Sequence, residues 1–166
     1  PLLSEWTFVT VDEGSRFPQG QPFCSRICHA ARGTLFALGR SAPMFEGFTL
    51  KMIEVSGATL RVRYGGRGKP LLLLHGHPRT HATWHRVAAT LAPDYFVVCP
   101  DLRGFGQSSI PADMPNHTGS SKRAKALDCI ELMQRLGFDR FSVAGHDRGS
   151  YTAFRLAMDH PEAVER

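Results

Sequence analysis

Nothing in this chain is apolar for long. The longest aliphatic run, Leu71 to Leu74, has four residues and the longest apolar run of any kind, Tyr95 to Cys99, has five, against the roughly 20 that a membrane-spanning helix needs, and no basic segment followed by an apolar core opens the chain. The expectation is a soluble, cytoplasmic protein with no membrane partner. Cysteine is also scarce, four in 166 residues. Cys24 and Cys28, with His29 behind them, match neither C-x-x-C nor C-x-x-C-H, so a metal or redox role is not expected there. Cys99 ends an apolar run and Cys129 falls on the apolar face of a helical pattern, which makes both small core residues. Missing too is any block of one charge. Twenty Lys and Arg stand against fifteen Asp and Glu, a net +5, but they are interspersed. That argues against a nucleic-acid partner and suits a small, anionic substrate.

What is present divides at about residue 45. Residues 1–44 hold four prolines and four glycines with no sustained period, and are expected to be an irregular extension of unassigned role; Met44 stands directly before the organised part, 45–166. There, "FTLKMIEV" and "TLRVRY" alternate around Ser56 to Ala58 as an antiparallel hairpin. "LLLL" at 71–74, "YFVVC" at 95–99 and "FSVA" at 141–144 are uniformly apolar, as strands covered on both faces are. Between them, Trp84, Val87, Ala88 and Leu91 form a helical stripe stopped by Pro93, and Ala126, Cys129, Ile130, Met133 and Leu136 form another ended by Gly137. A third helix is expected from about Gly149 to His160. Strands and helices in alternation predict an α/β fold with a mostly parallel sheet and helices on both faces. Ligands of such sheets gather at the carboxyl ends of the strands, and those ends carry "HGHP" at 75–78, "DLRGFG" at 101–106 and "GHDRG" at 145–149.

The last of these has the form G-x-nucleophile-x-G between a strand and a helix, a sharp turn that lifts one side chain above the sheet edge. Gly145 and Gly149 are required because a Cβ at either would crowd the neighbouring strand and helix. The presented residue is Asp147. A carboxylate attacking an acyl group would give a labile anhydride, whereas attack on a saturated carbon gives an ordinary ester and expels a halide or opens a strained C–O bond; water with a His base can then cleave the ester. The helix that follows favours the ionised carboxylate at its amino end. The competing reading of Asp147 is a helix N-cap. The backbone N–H groups of His77 and Arg148 can pair as an oxyanion hole for ester hydrolysis.

These motifs, in this order, resemble the α/β-hydrolase fold, in particular its haloacetate (fluoroacetate) dehalogenase and epoxide hydrolase branch, over about residues 45–166. The resemblance implies Asp147 as nucleophile, His77 and Arg148 as oxyanion-hole donors, and "DLRGFGQSS" as a structural loop beside the site. It also implies that Arg148 grips a substrate carboxylate, since the haloacetate enzymes carry Arg where haloalkane dehalogenases carry Trp. Those enzymes carry a second Arg four residues after the nucleophile; here that position is Tyr151, a substrate-binding candidate without a charge. The family places its catalytic His and remaining acid downstream of a helical cap. The chain is therefore expected to be the first half of the fold, with cap domain and C-terminal half absent. Only His160 follows Asp147, in "MDHPEAV", and it is not assigned as the base. A halved sheet also predicts self-association through an exposed edge.

Other motifs carry less. "GGRGKP" at 65–70 precedes its strand and has Pro70 where a phosphate loop needs Ser or Thr, so it is a turn; "GFGQSS" lacks the third glycine of a dinucleotide fingerprint. His81 and His85 share a helix face, but no Glu follows His81. No cofactor and no metal are expected.

Overall fold

The computed structural model describes residues 44–111 and 114–165. The expected extension before Met44, with Cys24, Cys28 and His29, lies outside the described residues. Strand β1 (Thr49–Val55) and strand β2 (Ala58–Gly66) form the hairpin, in a register that pairs Thr49 with Tyr64 and Val55 with Ala58. Ser56 and Gly57 make the two-residue turn, the length that best matches strand twist. Strand β3 (Lys69–Leu74) follows, then a 3-10 turn over His81–Trp84 that runs into helix α1 (His85–Leu91). Strand β4 (Tyr95–Pro100), helix α2 (Lys122–Arg135), strand β5 (Ser142–Gly145) and helix α3 (Arg148–Asp159) complete the order. A 3-10 segment, Pro115–Ser120, precedes α2 and was not signalled by periodicity.

The five strands lie in the order β1-β2-β4-β3-β5, antiparallel at β1-β2 and β2-β4 and parallel at β4-β3 and β3-β5. From β3 the chain steps to β4 on one side; from β4 it steps back across β3 to β5 on the other. Right-handed crossovers in opposite directions must leave their helices on opposite faces. The core divides accordingly. Leu71, Leu73, Val97 and Cys99 pack with Trp84, Val87, Ala88 and Leu91. Leu72, Leu74, Val98 and Val143 pack with Ala126, Cys129, Ile130, Met133, Ala153 and Leu156. Alternate residues of one strand thus serve two helix layers, which is why "LLLL" has no polar member. All four leucines are fully buried, each contributing about 1.5–3 kcal/mol relative to exposure.

Helix ends follow local chemistry. Ser121 caps α2, accepting the Ala124 N–H at 3.1 Å. At the other end Gly137 takes φ +89°, the Gly137 N–H donates to Gln134 O and the Phe138 N–H to Met133 O, a pairing that satisfies the last carbonyls and needs glycine at the left-handed position. The expected turn at "GGRGKP" is confined to Arg67 and Gly68, since Gly65 and Gly66 end β2 and Lys69 and Pro70 begin β3; it is held against the α1–β4 connection by the Arg67 N–H donating to Ala92 O.

Past α3 the chain returns beside β5: Phe141 and Val164 form a parallel bridge. On the outer side of α3, Tyr151, Phe154 and Met158 are more than half exposed. No helix among the described residues is long and apolar enough to cross a membrane.

Candidate active site

The loops after β3 and β5 leave these adjacent strands toward opposite faces, one into α1 and the other into α3. A crevice opens where such connections diverge. Leu74 and Gly145 are paired in register, and the His146 N–H continues the ladder to Leu74 O at 3.0 Å. His75-Gly76-His77 and His146-Asp147-Arg148 therefore lie side by side.

Asp147 has φ 49° and ψ −121°, a conformation that costs a non-glycine residue of order 1–3 kcal/mol. Three glycines make it possible. A Cβ on Gly145 would stand 2.5 Å from the Gly149 carbonyl group, and one on Gly149 would overlap the Leu74 carbonyl oxygen. Both were expected. The third, Gly76, carried no such expectation: a Cβ there would meet the Asp147 carboxylate at 2.6 Å. Its absence lets the β3 loop lie directly on Asp147. Gly149→Ala is expected to force α3 off the end of β3 and lower stability by roughly 1–3 kcal/mol, the range for overpacking a close contact. A urea midpoint equal to that of the unmodified protein would contradict this.

Although Asp147 stands at the N-cap position of α3, its side chain makes no capping hydrogen bond. The His77 N–H instead donates to Oδ2 at 2.8 Å. Backbone N–H donation from Arg148, then from His77, holds the Asp147 carboxyl below the usual carboxylate range. Oδ2 thus already takes an N–H donor from the β3 loop, across 70 residues of sequence. Asp147 and Arg148 are both exposed, as is Tyr151 one turn on.

The surroundings are tied together by buried polar contacts. His75, fully buried, accepts the Leu102 N–H at Nε2 (3.0 Å) and donates from Nδ1 to Gly76 O (2.9 Å). That fixes its tautomer and clamps the β3 loop to the β4 loop; burial lowers its pKa, so it is neutral. Asp101 accepts both the backbone N–H and Nδ1 of His81 at 2.7 Å. Burial would raise its pKa, yet the His81 bonds prevail and the carboxyl titrates below its ordinary value. Ser108 Oγ donates to Asp101 O and accepts the Arg61 N–H, so "DLRGFGQSS" is the structural loop expected. Arg103, also buried, forms a two-pronged ion pair with Asp128 of α2 and donates to Gly119 O at 3.0 Å. This pair was missed; its signal was an Asp among the apolar positions of a helix.

The histidine cluster is used locally. His81 is bonded to Asp101 and His85 Nδ1 to Ala82 O. His160 ends α3, a helix of 12 residues, and so stands about 18 Å from its start. Cys99 and Cys129 are buried free thiols whose pKa values burial raises.

Fold and site together define a class of protein: residues 69–166 match the alpha/beta hydrolase fold family, and the chain belongs to it. Among curated proteins it is 51% identical over 121 residues to a fluoroacetate dehalogenase of Burkholderia sp, covering 73% of this chain and 40% of that protein. It is 41% identical over 112 residues to a soluble epoxide hydrolase of Corynebacterium sp. (strain C12), covering 68% and 37%. A solved structure from Nostoc sp PCC 7120, described as an alpha/beta hydrolase, superimposes with a TM-score of 0.72 at 48% identity over 74% of this chain and 42% of that one. The chain thus spans about two fifths of the length of these relatives.

Proposed function

We propose that this chain carries the nucleophilic part of a haloacid hydrolase, with Asp147 as nucleophile. The observation that supports it best is the Asp147 carboxylate itself: lifted above the sheet on a strained turn, unused as a cap, and held at Oδ2 by the His77 N–H. Oδ1 attacks the saturated carbon of the substrate; the new C–O bond forms as the C–halogen bond breaks, and the halide leaves with the electron pair. Oδ2 becomes the ester carbonyl oxygen, already bonded to the His77 N–H. Water then adds to that carbonyl, negative charge collects on Oδ2 beside the His77 N–H, with the Arg148 N–H as the second donor of the hole, and the alcohol departs. One water oxygen stays in the carboxylate and a proton is released. Arg148 favours an anionic substrate such as a haloacetate, because a guanidinium matches a carboxylate in charge and planar geometry. No metal or cofactor enters these steps. Epoxide opening by the same carboxylate is the second reading, favoured by the name of the Corynebacterium relative.

The test is to incubate the chain with fluoroacetate, chloroacetate and a styrene-type epoxide in 18O-labelled water and to follow intact mass and the Asp147 peptide. An ester at Asp147 is expected with a haloacetate. It is expected to persist, since His75 is buried with both ring nitrogens bonded, His81 and His85 are held through Nδ1 by Asp101 and Ala82 O, and His160 stands a helix length away. A folded chain that gains no adduct from any of the three would overturn the reading. The pH profile gives a second check. A lowered pKa keeps Asp147 ionised through neutrality, so the rate of ester formation should be flat from pH 8 down to about 4 and fall only below the ordinary carboxyl range. A decline centred between pH 6 and 7 would point to histidine titration instead.

A further inference from the structure

The His77 N–H that meets Asp147 Oδ2 belongs to the peptide group between Gly76 and His77, and the carbonyl end of that same group is also engaged. Gly76 O accepts from His75 Nδ1 at 2.9 Å and from the Arg79 N–H at 3.0 Å. His75 in turn accepts the Leu102 N–H at Nε2, at 3.0 Å. A backbone N–H can only donate and a carbonyl oxygen can only accept, so Nε2 carries the lone pair and Nδ1 the proton. Hydrogen bonds therefore run in one direction, from the Leu102 peptide through the imidazole and the Gly76–His77 peptide to the Asp147 carboxylate.

This alignment does more than hold a loop. Donation to a carbonyl oxygen draws electron density from the amide nitrogen, which makes the N–H at the other end of the peptide a stronger donor, by about 10–30% per bond in such chains. His75 is fully buried, and a hydrogen bond inside the protein is electrostatically stronger than one in water. The ring is also seated. Phe105 meets it edge to face at 5.3 Å between ring centres and meets the His77 ring in the same way at 5.9 Å, so one aromatic side chain supports both histidines. The charged groups that act on His75 are Asp101, His81 and Lys125, and burial outweighs them in keeping the ring neutral.

We infer that His75 is a positioning residue of the site: through Nδ1 it aims and polarises the Gly76–His77 peptide, so that the His77 N–H serves Asp147 Oδ2 as negative charge collects there. This rests on the reading of Asp147 as nucleophile, and the test separates the two. The Asp147 ester is formed in the full chain with chloroacetate and then cleaved with neutral hydroxylamine. The hydroxylamine nitrogen adds to the ester carbonyl, the acyl C–O bond breaks, and glycolate leaves with a proton from that nitrogen, so Asp147 ends as a hydroxamate that peptide mass detects. Formation uses Oδ1, whereas cleavage puts charge on Oδ2, and the ratio of the two rates therefore reads the donor. His75→Gln can still accept the Leu102 N–H through its side-chain carbonyl but has no donor at the Nδ1 position. It is expected to lower the cleavage-to-formation ratio by roughly tenfold, the scale of one hydrogen bond. His75→Asn, whose amide N–H stands at the Nδ1 position, is expected to restore most of that ratio. An equal loss in both variants, or an unchanged ratio in His75→Gln, would overturn the role while leaving Asp147 as nucleophile. No Asp147 ester in the unmodified, folded chain would overturn both. Should neither variant fold, the 15N shifts of His75 in the unmodified protein decide: a protonated Nδ1 with a bare Nε2 is expected, and the reverse tautomer or a charged ring would overturn the inference.

Discussion

Asp147→Asn is expected to abolish ester formation at this position, with a loss of roughly 10,000-fold or more, the scale seen when a covalent nucleophile is removed. The amide keeps the size of the carboxyl and can still accept the His77 N–H through its carbonyl oxygen. What disappears is the ionised oxygen that attacks. Thermal stability separates this reading from a structural one. Replacing a true helix N-cap by a residue that cannot cap costs about 0.5–2 kcal/mol, but the Asp147 side chain makes no capping bond. Asp147→Ala, which removes any side-chain cap, should therefore lower stability by well under that range while also abolishing the adduct. A marked drop in melting temperature for Asp147→Ala, with adduct formation retained by Asp147→Asn, would return Asp147 to the structural reading.

The largest effect on stability is expected at Asp128. Burial raises the Asp128 pKa, and the Arg103 guanidinium offsets this only in part. Removing the carboxylate in Asp128→Ala would leave Arg103 charged, buried and without its partner, at a cost of about 3–5 kcal/mol. Arg103 also lies against Gly57 of the β1–β2 turn and bonds Gly119. The damage would therefore reach the hairpin and the segment leading into α2. Denaturant unfolding of Asp128→Ala, Arg103→Met and the double variant checks the cause. If desolvation is the issue, the double variant is more stable than the sum of the two single losses implies, because it leaves no orphaned charge. Strict additivity would show that the two side chains act independently.

Much of the fold and part of the site were legible in the residues. Uniformly apolar strands and helical stripes marked β3, β4, β5, α1, α2 and α3, because burial on two faces or one leaves a periodic trace. The first helix was less clear: its apolar stripe began at Trp84, yet the chain makes a 3-10 turn over His81–Trp84 before α1. His81 is held there by Asp101, 20 residues away, and a contact of that kind has no local period. Asp147 stood out because glycines at fixed spacing report a steric need. Gly76 shows the limit: two residues before Pro78 it reads as a turn, and only the approach of the β5 loop reveals that a side chain there would collide with the nucleophile candidate.

By itself, then, the sequence determined the α/β class, the three loops that carry polar residues to the strand ends, and the identity of the presented carboxylate. Each is written in local spacing, which the chain's own geometry enforces. The tertiary structure decided which groups meet. It joined the His77 N–H to Asp147 Oδ2 across 70 residues, paired Arg103 with Asp128 across 25, and tied Arg123 of α2 to Asp159 of α3 across 36. Such partners are chosen by how strands align and helices cross. Those choices follow from the packing of the whole core, so no short stretch of residues records them.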